Sequence, residues 1–79
     1  MQIDAVKTLI QQAISDAQIT VEGEGCSFSV QVVSATFDDM SLVQRQRAVM
    51  GAVKAQLASG ELHAISVSAM TPQEAQQQR

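Results

Sequence analysis

One cysteine and one histidine stand out in a chain of 79 residues. Cys26 lies in EGEGCSFSVQVV, between a glycine-rich turn signal and an apolar run, and His63 lies in LHAISV, 37 positions later. A thiol and an imidazole brought together have three uses. The first is packing, since a free cysteine behaves as a small hydrophobe and an imidazole can finish the end of a strand. The second is a Cys–His nucleophile, which needs an orienting third group and an oxyanion site. GEGCSF is not a nucleophile elbow, the chain contains no Asn, and so small a domain leaves little room for a substrate cleft. The third is ligation of a metal or cluster. A tetrahedral metal or a 2Fe–2S cluster needs four ligands, and this chain offers two good ones, so a partner must supply the rest.

The basic residues carry a rival chemistry. QRQR puts Arg45 and Arg47 near the start of a helix, with Lys54 further along. They read either as phosphate contacts or as a solvated helix face. Two residues apart is about 200° around a helix, so Arg45 and Arg47 do not form one patch by themselves. The net charge of −3 and the presence of only two aromatic residues, Phe28 and Phe37, weigh against general nucleic-acid binding, which relies on a basic surplus and stacking rings. GEGC also lacks the spacing of the GXXG backbone clamp of single-strand-binding KH domains. Met40, Met50 and Met70 read as core or surface filler.

These groups must be held by elements, and the sequence outlines them. Ile3, Val6, Ile10, Ala13, Ile14 and Ala17 recur at helical spacing over residues 3–17, which predicts an amphipathic helix. Asp4 adds a negative charge in its first turn, where the helix dipole favours one. QITVEG and SFSVQVVS alternate polar and apolar about the GEG turn signal and predict a hairpin with one wet face. SATFDDMS is a connector that Phe37 anchors, and Ser41 or Asp39 can cap the next helix. That helix spans 41–58, with Val43, Met50, Val53 and Leu57 as its stripe, Val49 flanking it and Gly60 ending it. LHAISVSAM is a third strand that His63 begins. TPQEA has a capping-box shape with Thr71 as cap, Pro72 first in the helix and Glu74 third.

The order is α-β-β-α-β with a short C-terminal helix, an α+β fold of a single domain over residues 1–79, with 72–79 a short helix and a frayed tail. The hairpin makes strands one and two antiparallel. A helical crossover makes strands two and three parallel where they are neighbours, with a right-handed connection. The sheet is then three-stranded and mixed, with the helices on one face. Parallel neighbours start at the same end of a sheet, about 4.8 Å apart, so Cys26 and His63 come to one edge. Their parity also matches: Cys26 is in step with Phe28 and Val30, and His63 with Ile65 and Val67.

A single cysteine excludes an internal disulfide, so nothing points to secretion. The start MQIDAVKTLIQQ has no basic residues ahead of an apolar run and does not read as a signal peptide. No apolar stretch approaches the roughly 18 residues of a membrane helix. The expectation is a reducing cytoplasm without membrane attachment.

CSFSVQVVSATFDDMSLVQRQRAVMGAV and LHAISVSAMTP resemble the BolA family, its bacterial members in particular, and the resemblance runs from the first helix through TPQEA. Its specific parts are F-x-V-x-V-V-S-x-x-F, S-L-V-Q-R-x-R and H-A-I-S-V followed by TP. The resemblance implies a class II KH-like fold and a non-enzymatic role in iron homeostasis. It also implies a partner, a monothiol glutaredoxin of the CGFS type, with a 2Fe–2S cluster bridging the two proteins. In such pairs the glutaredoxin cysteine and a glutathione thiol supply two ligands. The BolA-like chain supplies a histidine at the start of the third strand, matched here by His63, and a Cys or His from the loop before the second, matched here by Cys26. Two positions depart from the family pattern. Ala75 stands where an aromatic residue often follows TP, which predicts weaker tail docking. Gln46 replaces the histidine of Q-R-H-R, which argues against a metal role on that helix. Some BolA proteins are described as DNA-binding regulators of stress and morphology responses, with Arg45, Arg47 and Lys54 as the contacts here. For an acidic chain that ranks second, and a homodimer sharing a metal is a further arrangement.

Overall fold

The computed structural model describes residues 2–24 and 27–77. Helix α1 spans Ile3–Ala13 and is followed by strands β1, Gln18–Glu24, and β2, Ser27–Val33. A 3₁₀ turn, Ala35–Phe37, leads into helices α2, Leu42–Ala52, and α3, Lys54–Ser59. Strand β3, Ala64–Met70, and helix α4, Pro72–Gln77, complete the chain. The sheet order is β1-β2-β3, with β1 antiparallel and β3 parallel to the central β2. The fold expected from the alternation and crossover order is the one observed.

Alternation decides which face is buried. In β2, Phe28, Val30 and Val32 are buried while Ser27, Ser29 and Gln31 are exposed. The parallel register sets Phe28, Val30 and Val32 beside Ile65, Val67 and Ala69 of β3. Val6 and Ile10 of α1, and Val49 with Val53 from the α2–α3 arm, close over this face together with Phe37 and Leu62. Each such side chain stabilises the fold by about 1.5–3 kcal/mol relative to exposure. Phe37 is fully buried, as an anchor for the connector should be.

Two helices end differently from the periodic pattern. The first stops at Ala13 rather than continuing to 17, although Ile14 and Ala17 are buried as the pattern requires. Gln11 causes the stop to be tolerated: its amide donates to the carbonyls of Ile14, Ser15 and Ala17 at 3.3, 2.8 and 3.1 Å, satisfying acceptors that a helix end leaves unpaired. The expected helix over 41–58 is broken at Val53, whose ψ of 15° leaves the helical region. Ser41 is its cap, in a reciprocal capping box with Gln44, and Gly60 ends α3 at φ +85°.

The buried stripe of α2 is also shifted in phase. Val43 is 59% exposed and Leu42 72%, whereas Arg45 is 7% exposed. The stripe is Arg45, Val49 and Val53, spaced by four, with Met50 and Leu57 half-buried beside it.

Candidate functional site

The parallel pairing of β2 and β3 brings the starts of both strands to one end of the sheet. Ser27 pairs with Ala64 and Phe28 with Ile65. His63 is the residue immediately before β3 rather than its first residue, and it is exposed. Its backbone is held on both sides. Leu62 is buried at 1% exposure and its N–H donates to the carbonyl of Gln56 at 3.1 Å, while Ala64 is already in the sheet. Burial of one neighbour and strand pairing of the other fix the direction of the Cα–Cβ bond, leaving the imidazole its side-chain rotations only. Cys26 lies outside the described residues. The residue that follows it, Ser27, is in register with the residue that follows His63. Among the described residues no group of three or more His, Cys, Asp or Glu converges on a metal-sized site.

The residues expected as a basic surface separate. Arg47 and Lys54 are exposed. Arg45 is buried, which corrects the reading of it as a solvated helix residue. Its Nε donates to the carbonyl of Met40 at 3.1 Å and its Nη1 to that of Ala69 at 3.4 Å. The remaining fork meets Glu74, Nη1 to Oε1 at 2.6 Å and Nη2 to Oε2 at 3.3 Å. Planar two-point pairing of this kind is the geometry guanidinium favours with carboxylates. Glu74 also completes the expected capping box: it accepts from the Thr71 N–H at 2.9 Å, and the Glu74 N–H donates to Thr71 Oγ1 at 3.2 Å. The Arg45 hydrogen bond and the Thr71 N–H hold the Glu74 carboxyl below its ordinary range, against a smaller opposing effect of burial.

Gln46, beside Arg45, donates to the carbonyl of Val67 at 2.8 Å. Arg45 and Gln46 thus engage outward carbonyls of β3, an edge strand. A groove of about 460 Å³ lies between α2, β3 and α4, with Leu42, Met70 and Glu74 among its walls. The signal for Arg45 was in the sequence, because it stands four and eight residues before Val49 and Val53 on one helix face. The general expectation that arginine stays at the surface obscured it.

A second carboxylate braces the turn that follows β2. Asp16 accepts from the hydroxyls of Ser34 at 2.6 Å and Thr36 at 3.1 Å. The Ser34 bond is the largest cause of a carboxyl held below its ordinary value, with burial opposing it and Thr36 and backbone N–H groups assisting. Among the described residues no helix is long and apolar enough to cross a membrane.

Residues 5–74 match the family described as BolA-like protein. The chain belongs to the BolA family. It is 34% identical over 74 residues to the acid stress protein IbaG of Escherichia coli (strain K12), covering 94% of this chain and 88% of that protein. Among solved structures, a bolA protein homologue from Coxiella burnetii superposes with a TM-score of 0.84 at 27% identity, over 96% of this chain and 97% of that one. BolA1 from Arabidopsis thaliana superposes with a TM-score of 0.79 at 28% identity, over 90% and 92% respectively. Within this BolA family member, Ala75 at the position that is often aromatic is half-buried, and the polar contacts of Glu74 with Arg45 and Thr71 anchor the tail.

Proposed function

We propose that this BolA family chain is an iron–sulfur cluster trafficking and iron homeostasis factor, a binding protein rather than an enzyme. In this reading it binds a monothiol glutaredoxin of the CGFS type, and the pair carries a bridging 2Fe–2S cluster as cargo. His63 and Cys26 are this chain's ligands; the glutaredoxin cysteine and a glutathione thiol are the other two. The observation that supports it most is the exposed His63, held between a buried leucine and a paired strand at the common start of β2 and β3. The chain's motifs and family membership agree with it. A reducing cytoplasm suits a free thiol that must lose its proton to bind iron.

The test is to reconstitute the wild type, His63→Ala and Cys26→Ser with a CGFS glutaredoxin, iron, sulfide and glutathione. Absorption, circular dichroism and cluster loss to a chelator are then compared. His63→Ala removes a ligand outright and should change the spectrum and lability most. Cys26→Ser leaves an oxygen donor and should weaken the site with a milder spectral change. If both variants match the wild type, neither residue is a ligand. The rival reading, a DNA-binding transcriptional regulator acting through Arg45, Arg47 and Lys54, is weakened because the Arg45 guanidinium is already committed to Glu74 and two carbonyls. A sequence-specific, submicromolar complex at physiological salt would reverse that ranking.

A further inference from the structure

Helix α4 has six residues and none of them is buried. A helix this short is unstable alone, because nucleation is unfavourable and few bonds follow it. It forms here because it is capped and tethered, and one carboxylate does both. Glu74 caps the Thr71 N–H and pairs with Arg45. Arg45, in contrast, keeps two contacts that do not involve α4, to the carbonyls of Met40 and Ala69. Loss of the Glu74 charge therefore weakens α4 while leaving the guanidinium oriented, with its free fork toward the groove between α2 and β3.

We propose that α4 is a strap across this groove, held shut by Glu74 and released when that carboxylate takes up a proton. The charged groups around it are few. Among the described residues, Arg45 and Glu74 are the charged residues lining the groove. α4 carries no other titratable residue among those described, β3 carries none, and Arg47 lies about 200° around α2 from Arg45. Because the Glu74 carboxyl is held below its ordinary 4.5 when docked, the stabilisation it gives is fully present above that value and is lost as pH falls through the lower docked value. Asp16 borders the start of α4 through a small cavity shared with Pro72 and titrates from an ordinary 3.8, also lowered, so the two carboxylates must be separated by mutation.

The experiment follows the full chain by NMR from pH 7 to about 3. Helical Cα shifts of Glu74 and Ala75 report α4, the Glu74 Cδ reports its charge, and Val30 and Val49 amides report the core. The strap reading expects the α4 shifts to collapse together with the Glu74 titration, below 4.5, while Val30 and Val49 hold. Glu74→Ala should show α4 released already at pH 7. Glu74→Gln is the neutral counterpart of the protonated side chain, so its α4 should be released already at pH 7, despite an oxygen suited to the capping box, and should stay so as pH falls. Helical shifts that persist through the Glu74 titration would overturn the proposal, as would acid release of α4 in Glu74→Gln equal to that of the wild type. Should the whole fold melt in acid, Glu74→Ala at pH 7 decides: an α4 still docked there refutes the strap.

Discussion

Gly23 is the position where one added carbon should cost most. It lies in β1 opposite Phe28 at φ +131°, a region in which a side-chain-bearing residue is held at a cost of about 1–3 kcal/mol. A Cβ there would overlap the Ser27 carbonyl oxygen and stand 2.9 Å from the Phe28 Cα. Both are backbone atoms, so no side-chain rotation relieves the contact. Relief requires opening the last two pairs of the ladder, Gly23 with Phe28 and Glu24 with Ser27, and Phe28 is a core residue. Strain and loosened packing together should cost Gly23→Ala about 2–4 kcal/mol. Domains of this size are stable by about 4–12 kcal/mol, so the loss is a large fraction of the total. With a urea slope of about 1–1.5 kcal/mol/M, the midpoint of a circular-dichroism titration at pH 7 should fall by about 2 M. Gly51→Ala is the internal control: nothing lies within 4 Å of its Cβ position and it sits inside α2, so it should gain about 0.5–1 kcal/mol from restricting the unfolded chain. A Gly23→Ala midpoint indistinguishable from wild type would refute the reasoning. The same hairpin end leads to Cys26, so a destabilised Gly23→Ala should also hold the proposed cluster less well.

Two further outcomes follow from buried and paired groups. Phe37 is fully buried, and Phe37→Ala should cost about 3–5 kcal/mol by transfer and cavity effects, read by the same titration. Asp16 is bonded to Ser34 and Thr36 and its carboxyl is held below 3.8. The wild type should therefore lose stability as pH falls below that value, whereas Asp16→Asn should be less stable at pH 7 and show a shallower pH dependence in thermal melts.

Patterns that depend on facing one way were legible in the sequence; those that depend on where a face ends were not. Ser27, Ser29 and Gln31 alternate with Phe28, Val30 and Val32 because one side of the sheet is wet, and period two leaves no second register that buries the same residues. The capping box at Thr71 was readable because a side chain three residues away, Glu74, must answer the cap, whereas the next-helix cap was open between Ser41 and Asp39 until the structure set Ser41 against Gln44. The end of α1 was not readable, since Ile14 and Ala17 are buried whether the chain continues as helix or turns, and the deciding residue, Gln11, acts through three carbonyls beyond the helix. The phase of α2 was misread for a related reason. Val43 fits an apolar stripe by type but is exposed, while Arg45 fits it by spacing and is buried because Glu74, 29 residues away, neutralises it. Local periodicity contains no record of such a partner. For the candidate site, the meeting of the two strand starts was legible from the crossover, while the fixing of His63 through Leu62 and Gln56 required the tertiary fold.

The edge of β3 is unevenly guarded, and the asymmetry bears on where a partner can approach. An edge strand presents unpaired backbone groups that invite another chain. Among the described residues the side chains donating to β3 carbonyls are Gln46, at the middle residue Val67, and Arg45, at Ala69 towards the C-terminal end of Ala64–Met70. α4 also packs on this strand and begins two residues after it ends. No described side chain donates to the half that starts beside His63. A glutaredoxin that reached His63 would therefore meet the less guarded half of the edge, whereas an approach along the other half would compete with Arg45, Gln46 and Glu74. Bringing the exposed imidazole and the open edge to one end is a consequence of sheet order: with β3 outside β2 rather than between two strands, His63 has the parallel neighbour on one flank only.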